Sequence, residues 1–151
     1  MQVKRITAAE SSLVTDLFNN YRIFYKQDSD ILLAQQFIQA RLDNNESIIF
    51  VALNEKEEPL GFTQLFPIYS SVRAVKNWLL NDLYVDANYR KQGVGEQLIQ
   101  TVLQFAREDG AKYVDLSTAI DNYTAQSLYE QIGFEKQDAD REFYNYRIKV
   151  D

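Results

Sequence analysis

The feature that most constrains the fold is a glycine turn that joins a predicted strand to a predicted helix. The chain has only 5 glycines, and two of them, Gly93 and Gly95, lie one residue apart in YRKQGVGEQL (89–98). The first N–H groups of a helix have no partner within it, and the helix dipole adds partial positive charge there. Arg90 and Lys91 precede the glycines and add further charge. The turn therefore predicts an anion site, with phosphate as a common guest.

Hydrophobic periodicity predicts alternating strands and helices around this turn. The predicted strands are 3–7, 47–53, 60–66, 75–85 and 112–118, with two final strands in GFEKQ (133–137) and REFYNYRIKV (141–150). The predicted helices are 10–25, 31–43 with Asp30 as its cap, the run from Val94 that stops at Gly110, and 122–132. The order is roughly βααβββαβαββ, which indicates an α/β protein whose sheet has both hairpins and crossovers.

Composition limits the chemistry more than it limits the fold. At 151 residues, with 46% apolar and 25% charged residues, the chain is expected to be one globular domain, 1–151. It has no cysteine and no histidine, which excludes disulfides, a Ser-His-Asp triad, a cysteine nucleophile and a histidine-ligated zinc site. We expect no metal. Catalysis must use Tyr, Asp, Glu, Lys, Ser, Thr, the backbone or water.

The net charge of −6 disfavours nucleic acid, because a phosphate-backbone binder usually carries a basic patch. An acidic surface suits a cationic small molecule better. No apolar run is long enough for a membrane span, and the N-terminal residues lack the apolar centre of a signal peptide. We therefore expect no membrane partner and a cytoplasmic location.

Two common phosphate-binding motifs do not fit the turn. A P-loop requires Lys and Ser/Thr after its last glycine, and here Glu96 and Gln97 follow Gly95. The dinucleotide fingerprint G-x-G-x-x-G would need a glycine where Leu98 stands. The spacing that does fit is Arg90-x-x-Gly93-x-Gly95.

That spacing resembles the acetyl-CoA-binding segment of the GNAT superfamily of N-acetyltransferases, with its Q/R-x-x-G-x-G/A turn, within LNDLYVDANYRKQGVGEQLI (80–99). A second stretch, DNYTAQSLYEQIGF (121–134), resembles the family pattern N-x-x-A-x-x-L-Y-x-x-x-G-F. The resemblance covers about residues 47–135. It implies the GNAT acyl-CoA N-acyltransferase fold, an α/β fold whose mixed, mostly antiparallel sheet of six to seven strands is flanked by about four helices.

The resemblance also implies acetyl-CoA as the co-substrate and a position for each part of it. The pantetheine arm is expected in a gap beside the strand that precedes the turn, paired with the backbone of Leu83, Tyr84 and Val85. Asn122 is expected to reach the arm from the other side, although it could simply cap the helix that follows it. The residues expected to hold the pyrophosphate are Arg90, Lys91, Gln92, Gly93, Val94 and Gly95.

The resemblance places Tyr129 near the thioester sulfur, where a phenol could protonate the departing thiolate. A backbone N–H at Leu83 or Tyr84 is the hypothesised donor to the carbonyl oxygen. The position where many members carry a glutamate base holds Asn81, which cannot act as a base. Asp82 is its neighbour, but adjacent strand residues point to opposite faces, so both cannot face the cleft. We therefore expect a water-mediated route, with Asp82 as the weaker candidate base. Tyr129 could instead be a packing aromatic on a helix face, and Asp82 could be a structural residue with no catalytic role.

The acceptor site in this family is usually built by the first two helices, their loop and the late strands. The residues that could line it are Tyr21, Tyr25, Gln27, Asp28, Asp30, Tyr69, Asn81 and Tyr144. The leading hypothesis is an N-acetyltransferase for a primary amine. The acidic chain favours a small amine or polyamine, and the alternatives are an amino acid, an aminoglycoside and a protein lysine or N-terminus. Two other hypotheses are a non-catalytic acyl-CoA-binding regulatory module and an unrelated phosphate-binding α/β protein. A homodimer is expected by analogy.

Overall fold

The computed structural model describes residues 1–139 and 142–150. Within them, five strands form one sheet in the order β1-β2-β3-β4-β5. The strands are β1 (Gln2–Arg5), β2 (Ile48–Leu53), β3 (Pro59–Ser70), β4 (Val75–Val85) and β5 (Val114–Asp115). The α-helices are α1 (Thr15–Phe24), α2 (Ile31–Asp43), α3 (Val94–Glu108) and α4 (Tyr123–Ile132). β4 and β5 pair in parallel, and the other neighbours pair antiparallel.

The structure confirms the main elements and corrects four of them, namely the helix 10–25, the strand 112–118 and the two final strands. The predicted helix 10–25 is divided into a 3-10 helix, Ala8–Leu13, and α1. Glu10 caps the first of these by accepting from the backbone N–H of Thr7. The predicted strand 112–118 is reduced to the two residues of β5, since only Val114 and Asp115 pair with β4.

The two final strands, predicted at 133–137 and 141–150, are absent from residues 133–139 and 142–150; Arg141 lies outside the described residues. The side chains that suggested the last strand, Phe143, Tyr144, Tyr146, Ile148 and Val150, are exposed by 70% or more, so their alternation buries no sheet face. The sheet therefore has five described strands, where six to seven were predicted.

Each face of the sheet packs against different helices. α1 and α2 bury one face through a cluster that joins Leu17, Phe18 and Ile38 to the strand residues Ile49, Val51 and Phe62. The alternate residue Phe50 points to the other face and packs against Phe105 of α3, with ring centroids 5.8 Å apart. The apolar stripe of α3 is buried at Val94, Leu98, Ile99, Val102 and Ala106.

The end of α3 is tied to the start of β4 by a polar cluster. The Trp78 indole N–H donates to Oδ2 of Asp109 over 2.8 Å, and the Lys76 ammonium lies 2.9 Å from the same oxygen. Since α3 runs back along β4, this contact fixes the helix at one end while the glycine turn lies at the other. This contact therefore fixes the position of the strand relative to the turn of the candidate site.

Clustering of contacts divides the chain into two compact units, Met1–Ser117 and Thr118–Asp151. The sheet and the first three helices belong to the first unit, and α4 belongs to the second. The expectation of a single domain over 1–151 stays a prediction. Within the described ranges, no helix has both the length and the apolar content needed to cross a bilayer.

Candidate active site

One edge of β4 is open along the half that leads into the glycine turn. β5 pairs with β4 only at Trp78 and Leu79. β3 follows the other edge of β4 as far as the pair Gly61–Val85. From Leu80 to Val85, in the described part of this unit, β4 therefore has no strand neighbour on its second edge. Backbone donors and acceptors on that edge can pair with an extended ligand.

A bulge at Asn81 decides which backbone groups face this open edge. Gln64 pairs with Asp82 and Leu65 with Leu80, so Asn81 is the extra residue. Before the bulge, the Trp78 N–H donates towards β5, to the carbonyl of Tyr113. After it, the Asp86 N–H donates towards β3, to the carbonyl of Leu60.

Alternation along the strand then turns the backbone groups of Leu83 and Val85 to the open edge and those of Tyr84 to β3. The Val85 carbonyl accordingly accepts from Nε of Arg90, on the side away from β3, over 3.1 Å. Of the three residues predicted to pair with a pantetheine arm, Leu83 and Val85 have the required orientation.

Gly61 permits the close approach of β3 to this part of β4. A Cβ atom at Gly61 would lie 2.8 Å from the Tyr84 carbonyl oxygen and 3.2 Å from the Val85 Cα. Any side chain here would displace the end of β4. Gly61 is not among the site residues predicted from the sequence, although an isolated glycine inside a strand pattern often marks a close backbone approach.

The glycine turn forms a concave backbone surface. Asp86 caps the short 3-10 helix Ala87–Tyr89 by accepting from the Asn88 N–H. Lys91 and Gly93 then take left-handed conformations, with φ of 62° and 82°, on either side of Gln92. Such alternation turns successive N–H groups to one side and creates an anion-binding nest.

The surroundings of this nest also suit a pyrophosphate. An ideal Cβ at Gly93 would have no atom within 4 Å, so the space beside the turn is open. Arg90, Lys91 and Gln92 are exposed, and the Arg90 guanidinium lies 5.6 Å from the centre of the Tyr84 ring. The predicted anion site therefore has both the backbone geometry and the positive charge that it needs.

Asp82 is a buried carboxylate in a polar network. It is 3% exposed, and it accepts hydrogen bonds from the Gln64 amide and from Nδ2 of Asn81, the latter over 2.7 Å. Ser47 donates in turn to Oε1 of Gln64 over 2.8 Å. Burial raises the pKa of Asp82 above its ordinary value, while the hydrogen bonds from Gln64, Asn81 and Tyr21 oppose that rise.

Asn81 is exposed and Asp82 is buried, as strand alternation predicts. The bulge nevertheless brings the two side chains into a hydrogen bond. Sequence reasoning did not anticipate this contact, or the participation of Gln64 and Ser47. The bulge shifts the strand register by one residue, and the residue types in LNDLYV do not indicate such a shift.

We expect the Asp82→Asn variant to be more stable than the wild type at neutral pH. The expected difference in the free energy of unfolding is on the order of 1 kcal/mol. Burial raises the pKa of the folded-state carboxyl, so the folded protein binds its proton more readily than the unfolded chain. Wild-type stability therefore falls as pH rises through that folded-state pKa, whereas asparagine does not titrate. The advantage of the variant should disappear on acidification, as measured by urea unfolding at a series of pH values.

The matched control for this prediction is Asp28→Asn, which removes one negative charge from an exposed position in the loop between α1 and α2. It reports how much of the trend comes from net charge alone. An advantage of Asp82→Asn that grows as pH falls would contradict the raised pKa.

Tyr21 lies between the acceptor-side helices and β4. It is half-buried, its hydroxyl donates to the Asn81 carbonyl over 3.3 Å, and its ring lies 5.0 Å from that of Tyr25 and 6.4 Å from that of Tyr84. Tyr25 is 50% exposed. Of the predicted acceptor-site residues, the structure thus brings Tyr21, Tyr25 and Asn81 together.

The other predicted acceptor residues are more dispersed. Asp28 is exposed in the loop between α1 and α2, and Tyr69 and Tyr144 are exposed by 70% and 89%. Asp30 caps α2, as predicted, by accepting from the Leu33 N–H over 3.0 Å. Gln27 donates its backbone N–H to Arg22.

In the second unit, Asn122 and Tyr129 lie at the start and near the end of α4. Oδ1 of Asn122 accepts from the Ala125 N–H over 3.2 Å, which confirms its capping role. The Tyr129 ring packs edge-on against Phe134, with centroids 5.9 Å apart. Their roles towards acetyl-CoA stay predictions.

Comparison with known proteins identifies the class to which this fold and site belong. The model of the acetyltransferase (GNAT) family matches residues 12–134. A Bacillus subtilis protein named as uncharacterized N-acetyltransferase YhfO is 40% identical over 150 residues, which cover 99% of this chain and 98% of that protein. This chain belongs to the GNAT family of acetyl-CoA-dependent N-acetyltransferases.

Solved structures agree on the fold. The crystal structure of a probable acetyltransferase superposes with a TM-score of 0.89 at 38% identity and covers 100% of this chain and 99% of its own. An aminoglycoside acetyltransferase from a soil metagenome, solved with sisomicin, has a TM-score of 0.77 at 21% identity over 98% of this chain and 96% of its own. The predicted GNAT fold is therefore confirmed, apart from its strand count.

Proposed function

We propose that this enzyme transfers the acetyl group of acetyl-CoA directly to a primary amine, a small amine or polyamine, while both are bound. The observation that carries the proposal is the continuity of the open edge of β4 with the nest at Gly93. An extended arm with a pyrophosphate at one end requires an edge of this kind that leads into a nest. The acetyl thioester supplies the electrophilic carbon.

The residues of the first unit then have distinct roles in binding. Leu83 and Val85 hold the arm through backbone groups on the open edge, and the N–H groups from Arg90 to Gly95 hold the pyrophosphate, aided by the charge of Arg90 and Lys91. The Leu83 N–H is the donor that we assign to the developing negative charge on the carbonyl oxygen, since Tyr84 turns its backbone to β3. For Asn122, which belongs to the second unit, the proposed role is a separate contact with the arm.

Two side chains are assigned to proton transfer. Tyr129 protonates the departing thiolate, and the ammonium form of the acceptor loses its proton towards Asp82. The burial of Asp82 supports its role as a proton acceptor, because it raises the pKa of the carboxyl above its ordinary value and so makes it a stronger base. Its burial also implies that another group must connect it to the acceptor.

The acceptor class is supported by charge and by the surface beside Asn81. The chain carries a net charge of −6, which favours the approach of a cation. Tyr25 and Asp28 are exposed in and beside the loop after α1. The ring of Tyr25 suits an alkyl chain or a cation, and the carboxylate of Asp28 suits a second amino group. The proposal includes a homodimer, a cytoplasmic location and one domain across both units, since the family match crosses residue 117.

The test is release of the coenzyme A thiol from acetyl-CoA in the presence of alkylamines, polyamines, aminoglycosides, amino acids and a lysine peptide. Amine-dependent release, with the N-acetyl product confirmed by mass spectrometry, supports the proposal, and the best amine defines the acceptor class. Release only with the peptide would replace the small amine by a protein acceptor. Tight acetyl-CoA binding without release on any amine would contradict catalysis and favour a binding module.

A further inference from the structure

The buried carboxyl of Asp82 faces neutral groups, so its negative charge, when ionised, has no counter-ion beside it. Its contacts come from β3, β4 and α1, through Gln64, Asn81 and Tyr21. In the described ranges, the three ion pairs join Lys4 to Glu10, Arg41 to Glu46 and Lys76 to Asp109, so none includes Asp82. A buried charge without a counter-ion is costly, and it attracts a cation to the nearest accessible point.

That accessible point is the hydroxyl of Tyr21. Asp82 is 3% exposed, so an ammonium group cannot reach it directly. The Tyr21 hydroxyl lies within reach of both the Asp82 carboxyl and the Asn81 carbonyl, and it donates its single proton to one of them at a time. The bond to the Asn81 carbonyl lies at the exposed surface. The bulge accounts for the arrangement, because it places the carbonyl of the extra residue within reach of α1.

The Tyr21 ring is held in one place by a ring just after α1, a ring on β3 and a ring on β4. Its centroid lies 5.0 Å from that of Tyr25, 6.0 Å from that of Phe62 and 6.4 Å from that of Tyr84, with steep interplanar angles in each case. Such edge-to-face contacts fix the direction of the hydroxyl. Replacement by phenylalanine would keep all three ring contacts and remove only the oxygen.

We propose that Tyr21 and the Asn81 carbonyl form the binding site for the acceptor's primary ammonium group, and that Tyr21 passes its proton to Asp82. One ammonium N–H donates to the Asn81 carbonyl and another to the Tyr21 oxygen. This inference rests on the proposed function, and it adds the residue that connects the buried carboxylate to the acceptor.

The proton transfer balances without any further reactant. The ammonium proton moves to the Tyr21 oxygen while the hydroxyl proton of Tyr21 moves to an Asp82 oxygen, so Tyr21 stays neutral. The nitrogen lone pair forms the bond to the thioester carbonyl carbon, the C–S bond breaks with its electron pair on sulfur, and the thiolate takes a proton from Tyr129. The nitrogen then still carries one proton more than the amide, and this second proton returns Tyr129 to its neutral form. Asp82 returns its proton to water through Tyr21 after the product leaves.

The experiment compares wild type, Tyr21→Phe, Asp82→Asn and the double variant with two acceptors. These are the best alkylamine of the panel and the same amine with every hydrogen on the carbon next to its CH2–NH2 group replaced by fluorine. The assay pH is set above the lowered ammonium pKa of the fluorinated amine, so that this amine is mostly neutral. We expect Tyr21→Phe to lower kcat/KM for the basic alkylamine on the order of 100-fold and to leave KM for acetyl-CoA unchanged. The loss should shrink to a few-fold, about the scale of one missing hydrogen bond, with the fluorinated amine.

Two further readouts separate proton transfer from a structural effect. If Tyr21 acts through Asp82, the double variant should be no slower than the slower single variant. Tyr113→Phe, which removes an exposed hydroxyl elsewhere in the same unit, should match the wild type, and thermal unfolding should show all variants folded.

Three results would overturn the inference. One is Tyr21→Phe activity within about twofold of wild type, well below the expected effect of a proton carrier. The second is an equal loss with both amines, which would indicate a purely structural role. The third is additive loss in the double variant. Failure of the wild type to acetylate any amine would instead remove the proposed function and this inference with it.

Discussion

Replacement of Tyr129 by phenylalanine is expected to lower kcat on the order of 100-fold, since positioned acids commonly contribute this much. The phenol is the group assigned to protonation of the departing thiolate, and without it the C–S bond must break towards water. The aromatic ring would remain, and so would its edge-on contact with Phe134. KM for acetyl-CoA should therefore change little. Steady-state thiol release at saturating acceptor measures both constants.

A matched control lies on the same helix. Tyr123 begins α4 and is 71% exposed, so Tyr123→Phe removes a phenolic hydroxyl from a surface position. It should leave kcat and thermal stability as in the wild type. If Tyr129→Phe proves equally harmless, the thiolate receives its proton from elsewhere and Tyr129 is only a packing residue. If it raises KM for acetyl-CoA without a change in kcat, its role is in binding.

Much of the first unit could be predicted from local sequence signals. β4 matches its predicted bounds at 75–85, and α2 matches at 31–43 with Asp30 as its cap, because strand composition and capping chemistry are local properties. The helix after the glycine turn was predicted from its apolar stripe, and Gly93 lies at its N-terminal cap in the left-handed conformation that glycine tolerates. These signals depend on a few neighbouring residues.

The predictions that failed concern features that are set by residues distant in the sequence. The alternation of Tyr144, Tyr146 and Ile148 resembles a strand, yet a strand forms only where another strand offers its edge, and these residues are exposed. The bulge at Asn81 is likewise set by the register with β3, which no window of β4 contains. The same applies to Tyr21, which was one of several candidate aromatics until the structure placed its hydroxyl at the Asn81 carbonyl.

Replacement of Gly93 by alanine is expected to weaken acetyl-CoA binding by at least about tenfold, and to cost about 1 kcal/mol of stability. The stability loss is conformational: φ is 82°, where L-residues are strained, and the added Cβ would have no atom within 4 Å. The loss of affinity has a different origin. A methyl group in the concave side of the turn would occupy space that the pyrophosphate needs next to the backbone N–H groups.

Gly110 provides the control that separates these two effects. It follows the other end of α3, has φ of 79°, and its added Cβ would also have no atom within 4 Å. Gly110→Ala should therefore lose a similar amount of stability, by urea unfolding, and keep wild-type affinity for acetyl-CoA, by calorimetry. Equal affinity losses in the two variants would mean that strain in α3, and not the nest, limits binding. Unchanged affinity in Gly93→Ala would remove the pyrophosphate from this turn, because no ligand that contacts its N–H groups closely could ignore the added methyl group.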